Sequence, residues 1–169
     1  MNKAIFFDRD GVLNELVVRD GGYYSPRKMS DFIIVNNAAE VTRETSSLGF
    51  LNIVISNQPD ISRGHMNRKE LKKMSNRLSN KLSLDDFFYC IHDDLDLCDC
   101  RKPDAGLLEQ AKKKWDIDLE NSIMIGDTWK DAEAAKKVNV KFLLLDRVYN
   151  LNHNQVERIT ELKDIFNYL

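Results

Sequence analysis

The fold of this chain is decided by the stretch Phe6-Phe7-Asp8-Arg9-Asp10-Gly11-Val12-Leu13-Asn14. The apolar run Ala4–Phe7 ends there in charged residues, which is typical of a buried strand that reaches the carboxyl edge of a sheet. Open α/β sheets bind their ligands at that edge. Because residues i and i+2 of an extended chain point the same way, Asp8 and Asp10 are predicted to face one small site. Two carboxylates so close repel each other unless a cation lies between them or one of them takes a proton.

Length, charge and hydropathy describe an ordinary globular protein. The 169 residues predict a single domain, residues 1–169. The formal net charge of −2 gives no electrostatic case for binding nucleic acid, and a solvated helix face explains the basic run Lys112–Lys114. No apolar stretch approaches the ~20 residues of a membrane span, and the N-terminus shows no signal-peptide pattern. We therefore expect a cytoplasmic protein, and a monomer, without nucleic-acid or membrane partners.

Apolar runs that alternate with helical patterns predict the order of the elements. The predicted strands are Ala4–Phe7, Leu51–Ile55, Phe87–Ile91, Ser122–Ile125 and Phe142–Leu145, and the predicted helices are Ala38–Leu48, Arg68–Leu82, Ala105–Lys114, Trp129–Lys137 and Gln155–Asn167. Asn67 is expected to cap the second of these helices. The alternation predicts an α/β fold, a Rossmann-like parallel sheet with helices on both faces. The long loop from Asn14 to Asp31 is expected to fold over the active edge as a small flap.

Polar residues follow the next two predicted strands. Ser56, Asn57 and Gln58 come after the second strand, where a hydroxyl and two amides can hold an oxyanion. Arg101 and Lys102 come after the third strand. The guanidinium can bind a phosphate with two hydrogen bonds, and the lysine can act as a point charge. These residue types at one sheet edge are suited to a phosphate ester.

Further carboxylates follow the fourth strand, where Asp127 can complete an oxygen-rich Mg²⁺ site. Taken singly, each of these sets is better explained by turns and caps. Four sets at successive strand ends instead describe phosphoryl transfer through an aspartyl phosphate, with Mg²⁺ joining nucleophile and phosphate. Lys102 and Ser56 are expected to stabilise the equatorial oxygens, and Asp10 to act as general acid and then as general base.

In order and spacing these residues resemble the motifs of the haloacid dehalogenase (HAD) superfamily. Asp8-Arg9-Asp10-Gly11-Val12 resembles its D-x-D-G-[TV] signature, and Ser56, Lys102 and Gly126-Asp127 look like its second, third and fourth motifs. The resemblance spans roughly Ala4 to Leu145. It implies a Mg²⁺-dependent phosphatase of HAD-like fold.

The resemblance also implies a role for each motif residue. Asp8 is implied to be the nucleophile and Asp10 the acid and base, with Ser56 and Lys102 stabilising the phosphoryl group. The Mg²⁺ ligands are implied to be the Asp8 carboxylate, the Asp10 backbone carbonyl and the Asp127 carboxylate. Asp131 is a weaker candidate for the site, and its carboxylate is expected to stand behind these ligands rather than to bind the ion.

The three cysteines of the chain predict a second metal. Cys90, His92, Cys98 and Cys100 supply three sulfurs and one imidazole, a Cys₃His set suited to a structural Zn²⁺. Three cysteines within one short segment of a cytoplasmic protein do not form a disulfide framework. The alternative is three unrelated cysteines beside a histidine. Zinc would hold this loop so that the two cations directly after it are aimed at the site.

Three further stretches resemble one group within the superfamily, the histidinol-phosphate and heptose-bisphosphate phosphatases. They are Asp-Arg-Asp-Gly at 8–11, Ser-Asn-Gln at 56–58 and Cys-Asp-Cys-Arg-Lys-Pro at 98–103. The resemblance implies a structural zinc and no large cap domain. Within the group, Ser56–Gly64 is closest to the heptose branch, whose usual S/T-N-Q-x-G-I-A-R-G it departs from at two positions. One of them, Asp60, replaces a glycine and adds a negative charge near an anionic substrate.

The heptose branch implies a substrate and residues that bind it. Gly21-Gly22-Tyr23-Tyr24 resembles the substrate loop of that branch, so Tyr24 is expected to contact substrate. Arg63 is expected to bind a distal phosphate or sugar hydroxyls, with a solvated arginine as the alternative. The implied reaction removes the C7 phosphate of a heptose 1,7-bisphosphate. Histidinol phosphate or another sugar phosphate stays open as the substrate, and so does a phosphate-binding module without turnover. A polynucleotide 3′-phosphatase is opposed by the acidic charge balance.

Overall fold

A six-stranded parallel sheet is the centre of the structure, a computed structural model that describes residues 1–152 and 156–169. The strands of the described residues are β1 (Lys3–Phe7), β2 (Val17–Arg19), β3 (Gly22–Tyr24), β4 (Phe50–Asn57), β5 (Asp86–Cys90), β6 (Ile123–Gly126), β7 (Lys141–Leu145) and β8 (Arg158–Ile159). The sheet order is β5-β4-β1-β6-β7-β8, and every neighbouring pair runs parallel. All five predicted strands lie in this sheet.

Helices cover both faces of the sheet, as the sequence predicted. They are α1 (Ala38–Ser47), α2 (Arg68–Lys81), α3 (Gly106–Trp115) and α4 (Trp129–Lys137). One hydrophobic core lies under α1, α2 and the 3₁₀ helix Leu162–Tyr168, and a second core lies under α3 and α4. The predicted α/β fold is therefore confirmed. Among the described residues, no helix is both apolar enough and long enough to cross a membrane.

The central strand β1 supplies side chains to both cores. Ile5 and Phe7 belong to one core and Ala4 and Phe6 to the other, and all four are fully buried. A strand buried on both faces has to be apolar at every position, which explains the uninterrupted run at the start of the chain. Because β1 lies between β4 and β6, the residues after it stand at the middle of the carboxyl edge.

Local chemistry explains where α2 begins. The Asn67 side chain accepts the Glu70 backbone N–H at 2.9 Å and so forms the predicted N-cap. Leu71, Met74 and Leu78 are buried at the three- and four-residue spacing of one helix face. The loop between β1 and α1 contains the antiparallel hairpin of β2 and β3 in place of a large cap domain.

The predicted helix Gln155–Asn167 is wrong as a single α-helix, although the 3₁₀ helix Leu162–Tyr168 overlaps its second half. Gln155 lies outside the described residues, as does His153, which is expected to be an ordinary surface residue. In place of one helix, β8 pairs with β7, and the 3₁₀ helix follows. The Asp164 carboxylate accepts the Thr160 backbone N–H at 2.9 Å and the Thr160 hydroxyl at 2.8 Å. These bonds cap the chain in the middle of the predicted helix, so the helical pattern cannot continue through it.

Candidate active site

Asp8 follows β1 directly, at the middle of the carboxyl edge. Its backbone N–H donates to the Ile125 carbonyl at 2.9 Å, which continues the ladder to β6. Its Oδ1 accepts the Arg9 backbone N–H at 2.7 Å and lies 3.0 Å from the Lys102 ammonium. Burial raises the pKa of Asp8 to about 7, although the charge of Lys102 lowers it. A further cation beside this carboxylate would favour the ionised form that a nucleophile needs.

Asp10 is held by donors on several sides. The Arg9 guanidinium donates to Asp10 Oδ1 through Nε at 3.0 Å and through Nη2 at 2.9 Å. The Asn14 amide donates to the same oxygen at 2.9 Å, and the Gln58 amide donates to Oδ2 at 2.7 Å. The same Gln58 nitrogen donates to Ser56 Oγ at 3.0 Å. This network fixes the Asp10 carboxylate beside the serine predicted to bind the phosphoryl group.

No sequence pattern predicted a role for Arg9 and Asn14, two fully buried members of this network. The Arg9 guanidinium also lies 5.7 Å from the ring centroid of Phe32. One signal was available, because a charged residue beside a strand buried on both faces has to find a partner in the interior. For Arg9 that partner is the neighbouring Asp10.

Lys102 brings a buried ammonium to the same edge. Its Nζ lies 3.0 Å from Asp8 Oδ1 and 2.5 Å from Asp131 Oδ1, and it donates to the Ile55 carbonyl at 2.9 Å. Burial lowers the pKa of Lys102, but the two carboxylates outweigh it and the pKa is raised above its ordinary value. The Asn57 amide donates to the Lys102 carbonyl at 2.9 Å, and the Asn57 side-chain oxygen accepts the Lys102 N–H at 3.0 Å. The Asn57 side chain therefore holds the lysine in place.

Three carboxylates, those of Asp8, Asp127 and Asp131, each offer an oxygen within 4.8 Å of the others. Both Asp131 oxygens are engaged, one by Lys102 and the other by the Thr128 hydroxyl at 2.7 Å. Asp127 Oδ1 is buried and has no hydrogen-bond partner in the structure. Burial, and then the charge of Asp8, raise the pKa of Asp127 well above its ordinary value. A Mg²⁺ ion would satisfy the unpartnered oxygen and offset this repulsion, so the residues fit such an ion.

One cavity of about 520 Å³ opens at this edge of the sheet. Every residue predicted to act in catalysis, substrate binding or Mg²⁺ binding lines it: Tyr24, Asp8, Asp10, Ser56, Asn57, Gln58, Arg63, Arg101, Lys102 and Asp127. The cavity is also lined by Lys130 and Tyr149, to which the sequence assigned no role. Both come after strands of the sheet, but neither residue belongs to a sequence motif that would have predicted a place in the cavity.

The two predicted substrate arginines are joined to acidic residues of the loop after β5. Arg63 Nη2 forms ion pairs with Asp93 and with Asp94, the latter at 3.2 Å. The Arg101 Nε donates to Asp94 Oδ1 at 2.7 Å. These pairs orient both guanidinium groups at the cavity wall and offset part of their charge.

The predicted zinc ligands come together in the same loop. Cys90, His92, Cys98 and Cys100 each offer a ligand atom within 4.8 Å of the others. The sulfur–sulfur distances of 3.5 and 3.6 Å and the nitrogen–sulfur distances of 3.3 and 3.5 Å exclude disulfides. Four ligands at about 2.3 Å from a tetrahedral zinc ion would lie about 3.7 Å apart, so this cluster fits Zn²⁺. Burial, first of all, raises the pKa of Cys90 and Cys100, and a bound cation would hold these sulfurs as thiolates.

The fold and this arrangement of carboxylates around a buried lysine define a phosphatase of the haloacid dehalogenase class. Residues 99–147 match the HAD-hydrolase-like family. The chain is 37% identical over 150 residues to the D-glycero-beta-D-manno-heptose-1,7-bisphosphate 7-phosphatase of Helicobacter pylori strain J99, covering 85% of this chain and 83% of that protein. The chain belongs to the HAD superfamily, within the histidinol-phosphate and heptose-bisphosphate phosphatase group, and is a phosphoric monoester hydrolase.

Two further comparisons agree with this assignment. The D-glycero-alpha-D-manno-heptose-1,7-bisphosphate 7-phosphatase of Campylobacter jejuni is 31% identical over 171 residues, covering 98% of this chain and 95% of that protein. The crystal structure of the D,D-heptose 1,7-bisphosphate phosphatase of B. bronchiseptica, complexed with magnesium and phosphate, covers 99% of each chain with a TM-score of 0.85. At 21% identity, this last likeness supports the fold alone.

Proposed function

We propose that this enzyme removes the C7 phosphate of D-glycero-D-manno-heptose 1,7-bisphosphate in a Mg²⁺-dependent reaction through an aspartyl phosphate. The observation that carries the proposal is the composition of the cavity. Asp8 and Lys102 line it together with two further cations, Arg63 and Arg101. A substrate with two phosphates needs one set of charges at the reacting phosphorus and another for the phosphate that stays. The relatives named for heptose bisphosphates support the same substrate class.

In the first half-reaction, an Asp8 carboxylate oxygen attacks the C7 phosphorus while the bond from phosphorus to the sugar oxygen breaks. Asp10 donates its proton to that leaving oxygen. The Lys102 ammonium and the Ser56 hydroxyl stabilise charge on the equatorial oxygens. Asp8, the Asp10 carbonyl and Asp127 would hold a Mg²⁺ ion, which would neutralise charge at the nucleophile and the phosphate.

In the second half-reaction, Asp10 takes a proton from a water molecule. The oxygen of that water attacks phosphorus, the bond to Asp8 breaks, and orthophosphate leaves. The donors that surround Asp10 hold its carboxylate at the cavity wall through both steps. Asp10 can therefore act as the general acid in the first half-reaction and as the general base in the second without changing position.

The proposal also includes a structural zinc site, a single domain, a monomeric state and a cytoplasmic location. Cys90, His92, Cys98 and Cys100 hold a structural Zn²⁺ that shapes the loop carrying Arg101. The chain is one domain and acts as a monomer in the cytoplasm on a small phosphorylated sugar, without nucleic-acid or membrane partners.

Phosphate release with Mg²⁺ tests the substrate directly. The assay compares both anomers of heptose 1,7-bisphosphate with heptose 7-phosphate and histidinol phosphate. We expect the highest kcat/KM for one heptose bisphosphate anomer. A preference for histidinol phosphate would overturn the substrate and leave the chemistry intact.

Amide variants test the chemistry. Asp8→Asn should abolish turnover, and Asp10→Asn should lower kcat by about 10² to 10⁴, the usual contribution of a general acid and base. Asp116→Asn is the matched control, because Asp116 has an 80% exposed side chain that pairs with the N-terminal ammonium of Met1. Full activity of Asp8→Asn would exclude the aspartyl phosphate.

A further inference from the structure

The segment after β7 packs against Asp127, although no sequence pattern gave it a role. The Tyr149 hydroxyl donates to Asp127 Oδ2. The Asn150 amide donates to the Asp127 backbone carbonyl at 2.8 Å and to the Leu145 carbonyl at 2.9 Å. Asn150 is also buried. Asp127 is therefore fixed at both its backbone and its carboxylate by two adjacent residues.

The hydrogen bond from Tyr149 distinguishes the two oxygens of Asp127. Oδ2 is occupied by the phenol, and Oδ1 is the buried oxygen without a partner. Asp127 and Asp8 belong to one carboxylate cluster, and both line the cavity. As long as the phenol stays in place, Asp127 has one oxygen available for a cation.

The backbone around Gly11 prevents this carboxylate from moving aside. A Cβ atom on Gly11 would lie 2.0 Å from Asp127 Oδ2 and 2.6 Å from the Tyr149 hydroxyl, so both groups pack directly on the glycine backbone. Arg147 reaches the same turn, and its Nε donates to the Gly11 carbonyl at 2.9 Å. The turn after Asp10 and the segment after β7 thus hold the phenol and the carboxylate between them.

The Tyr149 ring has a second support. Its centroid lies 4.8 Å from that of Tyr23, which belongs to the hairpin strand β3. A tilted aromatic pair at this distance restricts the movement of the Tyr149 ring. The hydroxyl is therefore presented to the carboxylate by a ring that is itself packed.

We propose that Tyr149 is a positioning residue that restricts Asp127 to one metal-binding oxygen and so favours Mg²⁺ over Ca²⁺. Mg²⁺ requires six ligands in near-ideal octahedral geometry, which a carboxylate meets with a single oxygen. Ca²⁺ accepts six to eight oxygens and readily takes both oxygens of one carboxylate. Removing the Tyr149 hydroxyl leaves Asp127 Oδ2 without its hydrogen-bond donor, so that both oxygens of the carboxylate become available to one cation. This inference rests on the proposed function, since it takes Asp8 and Asp127 to bind Mg²⁺.

Metal binding measured without substrate tests the inference. Isothermal titration of the purified protein with Mg²⁺ and, separately, with Ca²⁺ gives the ratio of the two dissociation constants. In Tyr149→Phe we expect Mg²⁺ to bind about tenfold more weakly, the usual effect of losing a hydrogen bond to a metal ligand. We expect Ca²⁺ affinity to be kept or improved, so that the preference for Mg²⁺ falls by at least tenfold.

Tyr168→Phe is the matched control, because it also removes one phenol hydroxyl. The Tyr168 ring packs under Lys141, 4.6 Å from its ammonium, and this contact needs no hydroxyl. The thermal midpoints of both variants show that each is folded. Inhibition of phosphate release by added Ca²⁺ gives a second measurement, and it should become stronger in Tyr149→Phe alone.

The outcomes separate this inference from the proposed function. Wild-type affinity for both ions in Tyr149→Phe, or an equal loss for both, overturns the role of Tyr149 and leaves the Mg²⁺-dependent reaction standing. Failure of the wild-type protein to bind Mg²⁺ overturns the metal dependence itself, and the inference with it.

Discussion

Arg27 and Asp60 join the two loops that border the active-site cavity. The Arg27 Nε donates to Asp60 Oδ2 at 2.7 Å, and Nη2 lies 3.4 Å from Oδ1. Asp60 lines the cavity with a side chain that is 14% exposed. Its φ lies outside the left-handed region, so it fits without strain at a position that is glycine in the motif this segment resembles. The ion pair with Arg27 offsets the negative charge that the sequence predicted beside an anionic substrate. The structure therefore explains how this site tolerates a carboxylate in its wall.

Removing Arg27 and removing the charge of Asp60 both break this ion pair, but the two substitutions should affect substrate affinity differently. Arg27→Ala leaves the Asp60 carboxylate unpaired at the cavity wall, and we expect KM for the proposed bisphosphate substrate to rise about fivefold, equivalent to about 1 kcal/mol. Asp60→Asn removes the charge, and KM should stay level or fall. Steady-state kinetics at low and moderate salt measure both effects, which screening should weaken.

The double variant Arg27→Ala/Asp60→Asn provides the decisive comparison. If the effect is electrostatic, the second substitution should restore most of the affinity lost in Arg27→Ala. If Arg27 acts only by holding the loop, the double variant should be as weak as the single one, which would contradict our account.

The sheet and most of the residues that line the cavity could be predicted from the sequence, because polar residues directly follow the apolar runs that form the strands. Apolar runs located β1, β4, β5, β6 and β7, and each polar set that followed one of them reached the same cavity. This worked because a parallel sheet collects its carboxyl ends at one edge whatever the loops do. The cysteine spacing was equally informative, since two ligands separated by one residue already lie close together.

The contacts that hold the site could not be predicted. Arg9 reads as an exposed charge until its burial is known, and Tyr149 reaches Asp127 from 22 residues away. The Tyr149 contact follows no period along the chain, because it depends on how loops pack in three dimensions, and the Arg9 contact could be suspected only from the burial of the strand before it. The short strand β8 was missed for a related reason. Its pairing with β7 is non-local, whereas its sequence fits a helix.

Asp131 should affect turnover through Lys102 rather than by contact with substrate. It is fully buried and accepts from both the lysine and the Thr128 hydroxyl. In Asp131→Asn the ammonium loses one of its two carboxylates, and we expect kcat to fall about 10- to 100-fold while KM changes less than threefold. Steady-state kinetics of phosphate release measure the split. Asp131→Glu, which keeps the charge, should recover part of the loss, and equal defects in both variants would show that geometry alone matters.

Loss of a ligand from the proposed zinc cluster should destabilise the loop that carries Arg101 and Lys102. In His92→Ala, three sulfurs remain and the fourth ligand is gone, so we expect metal content to fall and the thermal midpoint to drop by several degrees. Metal analysis after dialysis and a thermal melt measure these changes. His65→Ala is the matched control, because His65 is exposed and lies outside the cluster. A wild-type protein with less than about half an equivalent of zinc would count against the site.

Asp86 should make the stability of the protein dependent on pH. Its Oδ2 accepts the Trp115 indole N–H at 2.7 Å and pairs with Lys114 at 2.7 Å, and its Oδ1 accepts the Phe87 N–H at 2.9 Å. Burial raises the pKa of Asp86, but these donors outweigh it and the pKa is lowered. A lowered pKa in the folded state stabilises the protein at pH values above the unfolded pKa of about 3.9. That contribution is lost as the pH falls through the folded pKa.

Asp86→Asn should therefore be less stable than wild type at pH 7 by about 1.5 kcal/mol, the lower end of the range for a hydrogen bond to a charged group, because the Asp86 carboxylate is partly exposed. Towards pH 3 the difference should narrow, because the wild-type carboxylate is then protonated as well. Urea unfolding at both pH values gives the two free energies, and any acid effect on the zinc cluster is common to both proteins. Asp104→Asn, whose carboxylate is 52% exposed and pairs with Lys137, should change stability by less than about 0.5 kcal/mol. A deficit in Asp86→Asn that is the same at both pH values would mean that packing, not charge, accounts for the role of Asp86.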